Sequence, residues 1–356
     1  MAIGMRTFGT VTLLGLAATL LTACDPPMPP DVAAQIAEQT FTCVEGSVTL
    51  AAPANLADPV SQWQASVAGD CVDPLPAMTF DGTAATPDLA ISSTDPSADL
   101  CKPFAKLPFA VESADLLFNL SVTTSLVLSP QNIADIYSGK ITTWADPSLQ
   151  AENNGTELPD EPIIINSHES DIQSVQTLNA WFTKLGAPLP VDGIQAAVHS
   201  DSSYYADLAE GEIAVVPGSA VTEQGLAASS VLVGKAGSKH PLVAVPDNQG
   251  ISSAATQWKS KNSGNNVSVS LDYSATPVAP VGFDSAATPY QAITPVNLYL
   301  CGDDTLLKRA AGLFLLRLDS QGVLGASNYN QLAESVRETA LLKVRKGLPI
   351  PKVKQN

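Results

Sequence analysis

Leu128-Ser129-Pro130-Gln131-Asn132-Ile133-Ala134-Asp135-Ile136-Tyr137-Ser138-Gly139-Lys140-Ile141-Thr142-Thr143-Trp144-Ala145-Asp146-Pro147 has the clearest local grammar in this 356-residue chain. Ser129-Pro130 is a helix start: a hydroxyl cap, then a proline where a missing N–H costs nothing. Ile133 and Ile136-Tyr137 supply one apolar stripe, and Gly139 is placed to end the helix in the left-handed region. A polar loop through Asn153-Asn154-Gly155 leads to Pro162-Ile163-Ile164-Ile165, a buried strand, and then to a polar turn over 166–171. Residues 174–182 have the pattern of the next helix.

Working outward, 47–50 and 88–92 are apolar strands, with a helix at 59–66 between them. Residues 107–111 and 114–120 read as two strands near a crossover. Residues 212–218 are a strand and turn, and 295–300 another strand. Residues 260–292, rich in Ser, Asn, Pro and Gly, are expected to be a long loop or hairpin. Two helices close the chain, one with Leu307, Ala311, Phe314 and Leu318 on a face, the other with Leu332, Val336, Ala340 and Val344. Strands alternating with helical windows predict an α/β layered fold.

With 35 acidic against 18 basic side chains the chain has a formal charge of −17, and no block of Lys or Arg is present. Nucleic-acid affinity rests on basic patches, so nucleic acid is excluded as a partner. An apolar share of 45% against 15% charged excludes a disordered polyelectrolyte, and the length allows about two domains.

Residues 1–23 read as a signal peptide. Arg6 precedes an apolar run over 11–21, too short to span a bilayer as a mature helix. The run ends in Leu21-Thr22-Ala23-Cys24, which resembles the lipobox of bacterial lipoproteins, with Cys24 the thiol that takes diacylglycerol. The alternative is an ordinary secretory signal that ends in a Cys. Residues 24–40 then form a lipidated tether, stiffened by Pro26-Pro27-Met28-Pro29-Pro30. The expected location is outside the cell, on the outer face of the cytoplasmic membrane, with lipid as the only anchor. Cys43, Cys71, Cys101 and Cys301 remain, an even number that favours two disulfides in one of three pairings. No CxxC spacing occurs and the three histidines are scattered, so neither a metal nor a cofactor is expected.

The stretch 128–147, with its GKI-T-x-W turn and Asp-Pro, resembles phosphate-binding lipoproteins of phosphate ABC importers. Residues 158–165, 211–218, 225–234, 290–300 and 312–332 are similar to later segments of that family, in order. The resemblance implies a type II periplasmic-binding-protein fold: two lobes, each a central mixed sheet flanked by helices, joined by two crossovers. Lobe one is expected at 41–118 plus 293–356, and lobe two at 119–292.

In that family phosphate is held by helix N-terminal N–H groups, hydroxyls, one Arg, and one Asp that accepts the ligand's proton. The resemblance places Asn55 and the Leu56 N–H in the first loop and Thr83 in the second. It places Ser93 or Asp95 in the acidic slot of the third. The family's fourth motif, Arg-Ser-Asp-Gly-Ser-Gly-Thr, corresponds to Glu169-Ser170-Asp171-Ile172-Gln173-Ser174-Val175. Ser170 and Asp171 survive there with Ser174 as a donor, but Glu169 replaces the Arg and the glycine turn is lost. Ser170 and Asp171 are equally suited to capping the following helix. His168 is a cation only below about pH 6.5.

No GxSxG, SxxK, Walker A or GxGxxG motif occurs, and no enzyme is expected. The expectation is a monomeric lipoprotein that captures an oxyanion, phosphate by resemblance, and delivers it to an ABC permease. The alternative is a binding-protein-like scaffold that has lost anion binding and serves sensing or envelope protein interaction.

Overall fold

The computed structural model describes residues 29–39, 41–81, 86–168, 171–190, 197–199, 208–221, 227–234 and 242–348. In chain order, α1 (Pro30–Gln39) leads into β1 (Gly46–Ala51), α2 (Ala57–Asp70), β2 (Met78–Asp81), β3 (Leu89–Ser92) and β4 (Pro103–Phe118). β5 (Val127–Leu128), α3 (Pro130–Tyr137), α4 (Pro147–Glu152), β6 (Ile164–His168), α5 (Ile172–Lys184), β7 (Ala197–His199) and β8 (Glu212–Pro217) follow. Then come β9 (Ala227–Ala228), β10 (Ser230–Leu232), β11 (Val243–Ala244), α6 (Asn248–Ala255), β12 (Trp258–Ser263) and β13 (Asn266–Leu271). β14 (Ile293–Cys301), α7 (Leu306–Leu315), α8 (Leu318–Gly322) and α9 (Glu334–Arg345) close the chain.

The local grammar of α3 is realised as read. Ser129 accepts from the Asn132 N–H at 3.2 Å, Pro130 is the first helical residue, and Gly139 sits at φ 72°. Trp144 is fully buried and its indole donates to the Gly211 carbonyl at 3.0 Å. The two strands expected at 107–111 and 114–120 are a single 16-residue strand, β4. Leu318 is not on the first closing helix: α7 ends at Leu315, the chain turns, and Leu318 opens α8. Leu332 likewise precedes α9. The 260–292 region is a hairpin of β12 and β13 followed by irregular chain.

One mixed sheet runs β2-β1-β3-β14-β4-β8-β6-β7, with β9 also on β4. It divides at β4. From Pro103 to Ser113 that strand pairs antiparallel with β14; from Ala114 to Phe118 it pairs with β8. A strand that changes partners midway, each partner belonging to its own layered body, gives a two-lobed α/β molecule. In lobe one Trp63 of α2 meets Phe109 of β4 edge-on, ring centroids 5.7 Å apart. In lobe two Trp181 of α5 meets Tyr290 at 5.1 Å. These rings are fully buried and centre the two halves of the core.

The cysteines pair Cys43–Cys71 and Cys101–Cys301. The first ties α2 to the chain before β1. The second joins the approach to β4 to the end of β14. Among the described residues no helix is long and apolar enough to cross a membrane, and no cluster of three His, Cys, Asp or Glu could hold a metal ion.

Candidate functional site

β1 and β3 are parallel, with Leu50 opposite Leu89, so residues 52–56 and 93–95 emerge at the same sheet edge. β6 and β8 are parallel in the other lobe, with Ile164 opposite Glu212. Their carboxyl ends open towards the start of α5 and the 3-10 turn Gly218–Ala220. Crevices at the carboxyl ends of parallel strands are where ligands sit in open α/β sheets. Here the two edges meet: Gln173 Nε2, in the first turn of α5, donates to the Ser93 carbonyl at 3.2 Å, across 80 residues of sequence.

Around that contact the residues singled out in the sequence take different positions. Asn55 lies in a 3-10 turn over 54–56 and accepts from the Tyr329 hydroxyl at 3.3 Å. Leu56 is buried and its N–H closes that turn on the Pro53 carbonyl at 2.9 Å. Ser93 is half-buried beneath Gln173. Asp95 is exposed; it accepts from Lys106 Nζ at 2.5 Å and from the Tyr299 hydroxyl at 2.8 Å. The Lys106 bond, then the Tyr299 bond, hold its carboxyl below the usual range. Asp171 and Ser174 are buried at the start of α5. Burial, and then the Asp171 charge, push the Tyr137 hydroxyl upward. Cys24, Thr83, Glu169 and Ser170 lie outside the described residues, as does the side chain of His168.

Sequence reasoning missed a second cluster, at the point where β4 changes partners. Glu112 is buried and accepts from the Ser219 hydroxyl at 2.5 Å. Asp115 is 3% exposed, and its Oδ1 has no hydrogen-bond partner. Burial pushes the Asp115 carboxyl up to about 7; the Ser113 hydroxyl opposes this and the Glu112 charge adds to it. Tyr290 donates to the Ala114 carbonyl at 2.7 Å, and Asn328 Nδ2 donates to the Gly218 carbonyl at 3.3 Å. Gly218 has no room for a side chain, since a Cβ there would lie 2.0 Å from Ser113 Oγ. Ser113, Asp115, Gly218, Asn248, Asn328 and Tyr329 help line a cavity of about 220 Å³. The signal was in the sequence: Glu112 and Asp115 are two acids inside the apolar run 107–118, where a buried strand has no use for charge.

Three described arginines of lobe one are engaged elsewhere. Arg309 pairs with Asp304 at 2.6 Å, Arg317 with Asp70 at 2.9 Å, and Arg337 with Glu38 and Glu334 at 2.7 and 2.6 Å. The inter-lobe region therefore offers hydroxyls, amides, a helix N-terminus and carboxylates.

No family model matches the chain. Over 72 residues, 20% of each chain, it is 38% identical to "Phosphate-binding protein PstS 2" of Mycobacterium tuberculosis. Over 57 residues, 16% of this chain and 15% of the relative, it is 39% identical to "Phosphate-binding protein PstS 3" of Mycobacterium leprae. The matches thus span a fifth or less of the length of these relatives. In structure the chain is similar to a high-affinity periplasmic phosphate-binding protein (PfluDING) solved with bound phosphate. That match has a TM-score of 0.50 and 15% identity, and covers 86% of this chain and 100% of that one. The resemblance to phosphate-binding receptors thus holds in sequence over one stretch, and the fold is the two-lobed one of the periplasmic binding proteins.

Proposed function

We propose that this chain is an extracytoplasmic solute-binding receptor of an ABC importer, whose lobes close on a small oxyanion, phosphate first among them. The observation that carries the reading is the Gln173–Ser93 contact, which brings the start of α5 over the loop after β3. An anion between them would meet helix N–H groups from lobe two and the chain around Asn55 and Ser93 from lobe one. Thr83, Ser170 and Ser174 are the further donors of this reading, and either Ser93 or Asp95 fills the acidic slot. The relatives' names support phosphate. The receptor works as a monomer without catalysis, held to the outer face of the cytoplasmic membrane through lipid on Cys24. Its lobes are 41–118 plus 293–356 and 119–292.

Glu169, where the resembling family has Arg, sets the affinity. At 4 Å and an effective dielectric near 20 each charge–charge contribution is ~4 kcal/mol, so exchanging attraction for repulsion is a large loss. Isothermal titration of the delipidated protein with phosphate at pH 6 and pH 8 tests the reading. Heat at millimolar phosphate or below is expected, and Glu169→Arg should tighten binding at least tenfold. No heat at either pH defeats oxyanion capture. One observation favours a second reading, a receptor-like scaffold for sensing or envelope protein interaction. Among the described residues, no Lys, Arg or His lines the cavity at the lobe junction, while Asp115 and Asp247 do.

A further inference from the structure

Glu112 and Asp115 take no part in the capture proposed above. They lie on one strand, three residues apart, 8% and 3% exposed. Two carboxylates out of water need either a positive partner or protons. The groups facing Asp115 come from every element packed around it. Its own strand supplies Ser113 and Glu112, and the turn after β8 supplies Gly218 and Ser219. The chain before β14 supplies Tyr290, the segment after α8 Asn328 and Tyr329, and the start of α6 Asp247. None of these is a cation, and Asp247 is a further acid, engaged in capping α6 through the Gly250 N–H at 2.7 Å. Asp115 Oδ1 remains without a partner.

The burial is built from both lobes. Asn328 and Tyr329 follow α8 in lobe one, whereas Gly218 and Ser219 follow β8 in lobe two. The Asn328–Gly218 bond crosses the junction. β4 changes partner between Ser113 and Ala114, so the two acids flank the point about which the lobes would bend. Hinge opening that parts Asn328 from Gly218 would admit water to both carboxylates.

We propose that lobe closure is coupled to proton uptake at the Glu112–Asp115 pair, the closed form holding a proton that the open form releases. This rests on the two-lobe closure reading but not on phosphate being the solute. The sign follows from desolvation. Burial raises the Glu112 carboxyl, with Ser219 opposing, and takes Asp115 up to about 7. In the open, hydrated form both return towards the ordinary carboxylate range near 4. The closed form is thus fully favoured below about pH 4. It loses up to about tenfold in population per pH unit and per proton as pH rises towards 7, and little more above that.

Small-angle X-ray scattering of the full chain without solute, from pH 4.5 to 8, reads the effect. The radius of gyration should grow as pH rises from 4.5 towards 7 in the wild-type chain and level off above 7. It should stay at its low-pH value in Asp115→Asn, and Glu112→Gln should flatten the curve in part. An unchanged wild-type radius across that range, or an Asp115→Asn chain that follows the wild-type curve, overturns the proposal. If the variants fail to fold, infrared spectra of the wild-type protein decide. A protonated-carboxyl band present at pH 6 and gone at pH 8 supports it, and absence of the band at pH 6 overturns it. Failure of phosphate to bind would leave these readouts intact, so the two readings fail separately.

Discussion

The outer face of lobe one and the junction between the lobes both bury charge, in opposite ways. Arg337 is 2% exposed, yet its guanidinium meets Glu38, Glu334 and the Leu316 carbonyl at 2.6–3.1 Å. Asp115 is 3% exposed and meets one hydroxyl and a like charge. The Arg337 cluster clamps α1 to α9 and is complete as it stands. The Asp115 cluster is incomplete, so its burial costs free energy whenever the acid is ionised. A satisfied buried charge fixes a structure; an unsatisfied one makes it depend on conditions. That division suits the receptor proposed above, in which the junction has to move.

The comparison can be broken first at the disulfides, which tie only lobe one and its approach to the junction. The Cys101–Cys301 bridge closes a span of 200 residues, against 28 for Cys43–Cys71. Loop-closure entropy gives roughly 5 kcal/mol for the long span and roughly 3.5 kcal/mol for the short one. Urea unfolding should therefore show Cys101→Ser/Cys301→Ser losing more than Cys43→Ser/Cys71→Ser. The reverse order would mean that the long bridge adds little to the holding of β4 beside β14.

Next in size is the clamp on α1. Arg337→Met leaves Glu38 without its bidentate partner, and breaking a buried pair from one side costs ~3 kcal/mol. Hydrogen exchange should then speed up first in residues 30–39, ahead of the rest of lobe one. Uniform exchange across the lobe would contradict a local clamp. The proton effect at Asp115 is expected to be the smallest in stability and the largest in shape, which is what separates the two clusters.

The sequence carried much of the fold because its signals were local. The Ser129 cap and the Gly139 stop each follow from a few neighbouring residues. What stayed hidden depended on partners far along the chain. Whether 107–111 and 114–120 were two strands or one was settled by β14 and β8 lining up end to end on β4, which no periodicity encodes. The disulfide pairing depended on the same topology. Around the site, residues 52–56 and 93–95 converge because β1 and β3 are parallel neighbours. Asp95 is turned towards Lys106 and Tyr299, and the Leu56 N–H is turned into its own turn; neither engagement could be read from spacing. Glu112 and Asp115 were legible as misplaced charges, but only burial from both lobes makes them a pair with consequences.

The most direct test of the central claim is a crystal structure of the delipidated protein grown in millimolar phosphate. The account predicts a tetrahedral anion between the first turn of α5 and the loop after β3, within hydrogen-bond distance of N–H groups or hydroxyls from both lobes. A gap that holds no anion, or an anion bound only on the outer surface, would contradict it.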